Sequence, residues 1–270
     1  MKFLIVYKET VYRSSLIFHR RSFTSVERTL NCHGIKFDRL ARGKSFDENR
    51  YALVISLGGD GTYLDAARHL EKVPILGVNS APGHSVGRFC PVQASNFEKA
   101  LKNFLQGKLK TKRIHRMSVF LNGKRWRHPV LNDVLVCHAV PSAMSRYILT
   151  VGATHEEQRS SGLWISTAAG STGAIQSSGG RALPLFSRRF QYLPRELFEG
   201  HGARYRLKGG PLPKSVPGLK VISRMQEGRL YLDGAHVWLP FKYGSRLNIG
   251  LSLAALSALY PSEKLGNDSF

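Results

Sequence analysis

The chain has 270 residues, enough for one large domain or two modest ones, and 42% hydrophobic with 21% charged residues is the balance of a folded globular protein. No apolar run approaches the roughly 20 residues a membrane span needs, and the short apolar amino terminus reads as a strand, not a targeting signal. Lys and Arg outnumber Asp and Glu by 40 to 18, a formal net charge of +22 that favours anionic partners, yet these cations are dispersed and no nucleic-acid-binding motif occurs, which argues against a specific nucleic-acid partner.

Taken in chain order, Phe3–Tyr7 reads as a buried strand and Ser14–Asn31 as a helix ended by Gly34. Tyr51–Leu57 is a nearly continuous apolar run, as expected of a strand covered on both faces in a parallel sheet. Thr62–Leu70 has helical spacing, Val73–Val78 is another strand, and Asn96–Leu105 is an amphipathic helix. This βαβ rhythm predicts an open α/β domain over about residues 1–110, with ligands at the carboxyl ends of its strands. Beyond it the period changes to two. Ser118–Leu121, Asn122-Gly123 and the stretch from Arg125 form a predicted hairpin, because Asn-Gly supplies the positive φ angles of a type I′ turn. Short strands are expected at Asp133–His138, Tyr147–Val151, Leu163–Ser166, Lys220–Ser223, Arg229–Leu232, Val237–Phe241 and Arg246–Ile249, giving a β-rich second domain over about 111–250.

Leu57-Gly58-Gly59-Asp60-Gly61-Thr62 lies between the strongest strand and a helix. Glycines permit close backbone approach and present N–H groups to phosphate, and a helix amino terminus adds partial positive charge. An aspartate there is a poor anion cradle; its carboxylate suits Mg²⁺, a hydroxyl nucleophile or a ribose. A tight turn with Asp60 or Thr62 capping the helix is the bland alternative. Gly170-Ser171-Thr172-Gly173, followed by Ser177-Ser178-Gly179-Gly180, is a second glycine- and hydroxyl-rich segment, with room for a flat ligand or, equally, the makings of a surface loop. Asn132-Asp133 either reads an amide or ribose diol or simply makes a turn. Gly43-Lys44-Ser45 is not a P-loop, because Asp38 occupies the place of the required first glycine, and Leu64 breaks any GxGxxG fingerprint. Cys32, Cys90 and Cys137 are isolated and imply reduced thiols in a cytoplasmic protein; no spacing of histidines or cysteines identifies a metal site.

Together these segments resemble the NAD kinase family. Gly58–Thr62 is similar to its GGDGT motif, Leu131-Asn132-Asp133 to its N-[E/D] motif, Ser166–Thr172 with Ser178-Gly179-Gly180 to its glycine- and threonine-rich motif, and Leu232-Asp233-Gly234 to its Asp-Gly element. Gly77-Val78-Asn79-Ser80 and Ser161-Gly162-Leu163 resemble the plant NADH kinase branch. The resemblance implies an α/β domain plus an all-β domain with the active site between them, and a final segment, about 251–270, that returns to the first domain. It implies phosphorylation of the adenosine-ribose 2′-hydroxyl of NAD or NADH to give NADP(H), with ATP or polyphosphate as donor, Mg²⁺ or another divalent cation, and a homodimer or homotetramer. In that reading Asp60 is catalytic; Gly58, Gly59, Gly61 and Thr62 bind phosphate; Asn132, Asp133, Gly170, Ser171, Thr172 and Ser177 bind the dinucleotide. A lipid kinase sharing the GGDG loop and a non-catalytic basic nucleotide- or nucleic-acid-binding protein are the rival readings. Three departures stand out: Gly173-Ala174 replaces the family's Ala-Tyr, Ser161 replaces an aspartate, and Gly87-Arg88-Phe89-Cys90-Pro91 replaces a Gly-His-Leu-Gly-Phe segment.

Overall fold

A computed structural model describes residues 1–9, 13–200, 202 and 204–261. The chain divides into two units, one built from residues 1–113 together with the segment from Leu256, the other from Ile114–Ala255.

In the first unit β1 (Lys2–Tyr7), α1 (Arg13–Cys32), β2 (Lys36–Ala41), β3 (Leu53–Gly58), α2 (Asp60–Ala67), β4 (Ile75–Asn79), β5 (Val92–Gln93), α3 (Phe97–Leu105) and β6 (Lys110–Ile114) follow one another. β1 pairs in parallel with β2 on one side and β3 on the other, and β3 pairs in parallel with β4. Every residue of β3 is buried, which explains its unbroken apolar sequence. Phe3, Ile5, Leu53, Ile55, Leu57, Leu76 and Val78 form the core with Val26 and Leu30 of α1 and Phe97, Ala100 and Leu101 of α3. Because β1 lies between β2 and β3, the strand order reverses there. The carboxyl ends of β1 and β3 flank the switch point at which open α/β sheets bind ligands.

The second unit contains β7 (Met117–Leu121), β8 (Lys124–Arg125), β9 (Asp133–His138), β10 (Ser145–Val151), β11 (Thr154–Ser160), β12 (Gly162–Thr167), α4 (Ala174–Ser177) and β13 (Phe190–Arg195). β14 (Gly210–Pro211), β15 (Gly218–Ser223), β16 (Gly228–Leu232), β17 (Trp238–Pro240) and β18 (Arg246–Leu251) complete it. They form two six-stranded sheets, ordered β11-β10-β15-β18-β7-β8 and β14-β13-β12-β9-β16-β17. Alternate residues of both, among them Tyr147, Leu149, Val221 and Leu247 from one and Val134, Val136, Leu163, Ile165 and Leu230 from the other, share a single core. The β7–β8 turn has Asn122 at φ 51° and Gly123 at φ 81°, the conformation predicted from that dipeptide.

The chain then forms β19 (Leu256–Tyr260), which pairs in parallel with β4 and lies between β4 and β6 in the first sheet. Residues 262–270 of the expected returning segment lie outside the described residues. Strands β2, β5, β6, β11, β13 and β14 are additions to the sequence reading. β11 reads Thr-His-Glu-Glu-Gln-Arg-Ser at a sheet edge, and β2 also ends its sheet with mixed exposure, so neither has a clean apolar alternation. The helix after the glycine loop starts two residues earlier than its spacing suggests, at Asp60. No described helix is long and apolar enough to cross a membrane.

Candidate active site

β3 delivers its last residue, Gly58, to the carboxyl edge of the first sheet. Gly59 is extended and precedes α2, so Asp60, Gly61 and Thr62 make the helix's first turn. Thr62 and Tyr63 donate their N–H groups to the Gly59 carbonyl (3.0 and 3.2 Å). Thr62 is buried and its Oγ1 has no hydrogen-bond partner among the described residues. That hydroxyl lies where a side chain on Gly58 would begin, so the first glycine is required by close approach.

Asp60 does not cap its own helix. Its two carboxylate oxygens accept from the backbone N–H groups of Arg88 (to Oδ2, 3.1 Å) and Phe89 (to Oδ1, 2.9 Å). The Phe89 ring stacks on Tyr63 of α2, with centroids 5.2 Å apart and planes at 15°, which fixes the two amides in front of the carboxylate. A carboxylate offers about four lone-pair positions, so two amide bonds orient Asp60 and leave acceptor capacity for a ligand. Beside it, burial and then the negative charge of Asp60 push the Cys90 thiol up, so Cys90 is a neutral packing residue and no nucleophile.

The other predicted segments meet in the second unit. β9 and β12 are paired with Asp133 opposite Ser166, so Asn132-Asp133 lies beside the turn that follows β12. Thr167 Oγ1 donates to the Leu131 carbonyl and accepts from the Gly170 N–H (3.1 Å). A side chain on Gly170 would run into the Asn132 backbone, so this glycine is what lets the two segments touch. Gly170, Ser171 and Thr172 form one 3₁₀ turn. Ser171 is fully buried; its hydroxyl donates to the Ala168 carbonyl (2.7 Å) and accepts from the Leu183 N–H (2.8 Å), shaping the turn from inside. Thr172 is half-buried, and Ser177, at the end of α4, is exposed.

Asp133 is 8% exposed, and its carboxyl makes no hydrogen bond with another described residue. Burial first, and the negative charge of Asp233 second, push it up to about 7. Asp233, at φ 52°, accepts from the N–H groups of Leu131 (3.0 Å) and Asn132 (2.6 Å), while its own N–H donates to the Asp133 carbonyl (3.0 Å). Asp233 is therefore a positioning residue that the residue-level reading did not assign, although its Leu-Asp-Gly wording was visible. Asn132 Oδ1 is buried and has no hydrogen-bond partner among the described residues. No cluster of three or more metal-ligating side chains occurs among the described residues.

Residues 5–109 match the family model described as ATP-NAD kinase N-terminal domain. A protein of Oryza sativa subsp. japonica described as Probable NADH kinase is 36% identical over 239 residues, covering 80% of this chain and 73% of that protein. The NADH kinase of Arabidopsis thaliana is 32% identical over 237 residues, covering 76% and 71%. Among solved structures, an NAD kinase from Archaeoglobus fulgidus in complex with ATP superposes with a TM-score of 0.77 at 21% identity, over 97% of this chain and 95% of that chain. Yeast NADH kinase complexed with NADH gives 0.79 at 16% identity, over 100% and 85%. At those identities the two structures establish a shared fold.

Proposed function

The chain belongs to the NAD kinase family, and from that premise we propose a division of labour for its phosphorylation of NAD(H), in which the first unit supplies the phosphate loop and the base and the second holds the dinucleotide. The rival lipid-kinase and non-catalytic readings fall with the family assignment. The observation that carries the proposal is the Asp60 carboxylate, held by two backbone amides at the sheet's switch point with lone pairs to spare. The adenosine-ribose 2′-hydroxyl donates to Asp60, which orients it and accepts its proton as the phosphoryl group arrives. Gly58, Gly59, Gly61 and Thr62 hold the donor's phosphates at the first turn of α2. Transfer is direct, without a covalent enzyme intermediate. Most of the acceleration comes from alignment and charge neutralisation, because phosphoryl transfer passes through a loose transition state.

On the second unit, the unpartnered Asn132 Oδ1 accepts an N–H of the dinucleotide and Asp133 accepts ribose hydroxyls. Gly170, Ser171 and Thr172 present their turn to the same ligand, and Ser177 lies at its outer end. The donor is ATP or a related polyphosphate. A divalent cation such as Mg²⁺ would be held by a carboxylate together with substrate phosphates. Asp60 with spare lone pairs fits that role, and the cation would neutralise phosphate charge. Three unpaired cysteines, of which Cys32 is exposed, support a reducing cytoplasmic location.

Incubation with ATP, Mg²⁺ and either NAD or NADH, followed by an assay for NADP(H), tests the reading. Product is expected from both dinucleotides, with NADH used at least as well as NAD. Absence of product from both would overturn it.

A further inference from the structure

The phosphate loop carries a charge problem that residues outside it must solve. A helix amino terminus contributes about half a positive charge, whereas the Asp60 carboxylate contributes a full negative one. The first turn of α2 is therefore net negative by itself, and a donor phosphate placed there gains from a protein cation beside any metal ion it brings. The sheet register supplies one. Tyr7 of β1 is level with Ala41 of β2 on one side and Leu57 of β3 on the other. Arg42 and Gly58 consequently leave the sheet at the same edge, on either side of β1, and the Arg42 N–H donates to the Tyr7 carbonyl (2.9 Å). Two inter-strand steps of about 4.8 Å separate β2 from β3, a span the long arginine side chain crosses.

The loop after Arg42 is tied to α2. Asp65 Oδ2 accepts from the Gly43 N–H (2.6 Å), and Asp65 lies one helical turn after Gly61 on the same face. The tie places a terminal nitrogen of Arg42 3.5 Å from the point where a Gly61 side chain would start. Arg42 is half-buried, and its guanidinium makes no ion pair or hydrogen bond with another described residue. A guanidinium held without a carboxylate beside a phosphate loop is placed for an anion that enters from solution.

Resting on the kinase reading above, we propose that Arg42 binds the phosphates of the donor, offsetting the charge of Asp60 and fixing the triphosphate against Gly61. Asp65 acts as its positioning residue through Gly43. The ligand class is a triphosphate chain; the dinucleotide is not Arg42's ligand.

The test compares wild type with Arg42→Ala and Arg42→Lys. It reads KM for ATP, KM for the dinucleotide, and binding of inorganic tripolyphosphate by calorimetry. Loss of a charge-assisted hydrogen bond should raise KM for ATP and the Kd for tripolyphosphate by about ten- to a hundred-fold in Arg42→Ala, with KM for the dinucleotide unchanged. Lysine should restore part of the binding, because it keeps the charge but not the two-pronged guanidinium. An unchanged melting temperature of the free protein shows that the loss is not one of folding. Wild-type values for both ATP and tripolyphosphate, or an equal rise in KM for ATP and dinucleotide, would overturn the proposal. Should the wild-type protein show no kinase activity, the kinase reading fails, whereas tripolyphosphate calorimetry still decides whether Arg42 binds such an anion.

Discussion

Each of the two units carries an aspartate to which the proposed mechanism gives a role, and their surroundings differ. Asp60 stands half-exposed at the edge of a parallel sheet, with two backbone amides donating to its carboxylate. Asp133 is buried at the start of an antiparallel strand, receives no side-chain hydrogen bond from described residues, and faces the charge of Asp233. The first carboxylate is oriented by the backbone before any ligand arrives; burial and Asp233 favour the protonated form of the second until a donor reaches it. A base must be ready before its substrate arrives, whereas a binding group can be completed by the ligand itself.

Replacing Asp60 with Asn should give the largest effect. The amide keeps the shape but loses the charge and the proton-accepting oxygen, and general-base contributions run to about 10²–10⁴-fold. kcat should fall at least about a hundred-fold. The melting temperature should fall as well, because Asn has one acceptor oxygen where the amides of Arg88 and Phe89 require two. A variant retaining more than roughly a tenth of wild-type turnover would show Asp60 to be a structural clamp alone.

Asp133→Asn sharpens the contrast through pH. Burial and Asp233 raise the Asp133 carboxyl to about 7, so the free protein holds that proton more tightly than the unfolded chain does. Its contribution to stability is fully present at acid pH and is lost as pH rises through about 7. Dinucleotide hydroxyls that donate to the ionised form work in the other direction, so NAD(H) affinity should tighten as pH rises through that window. The Asn variant should bind NAD(H) about ten- to a hundred-fold more weakly at pH 8, with little pH dependence and with ATP affinity intact. Without ligand it should be more stable than wild type at that pH. Equal loss of ATP and NAD(H) binding would mean that the change damages the fold.

Gly170→Ala should give a smaller effect, confined to the second unit. The added methyl meets the Asn132 backbone, and accommodating an extra carbon in a packed site costs about 1–3 kcal/mol. Thermal unfolding should show that loss, and NAD(H) affinity should drop while tripolyphosphate binding holds. A neutral substitution would mean that the Asn132 segment and the 3₁₀ turn do not depend on their contact.

Local signals in the sequence determined much of this protein. Unbroken burial made β3 legible, Asn122-Gly123 fixed a hairpin through its positive φ angles, and Gly58–Thr62 marked a tight strand-to-helix loop because glycine is the residue that permits such approach. The short-range pattern also placed Asn132 and Asp133 at a strand start. Tertiary structure alone decided what holds these residues. The amides that orient Asp60 come from 28 and 29 residues further on, and Asp233 reaches Leu131 and Asn132 across 102 and 101 residues. The raised proton affinity of Asp133 depends on burial by other strands, and Arg42 meets Gly61 only because β2 and β3 flank β1 in register. Backbone conformation is written over a few neighbouring residues, whereas the field at a carboxylate is summed over every group that folding brings within reach.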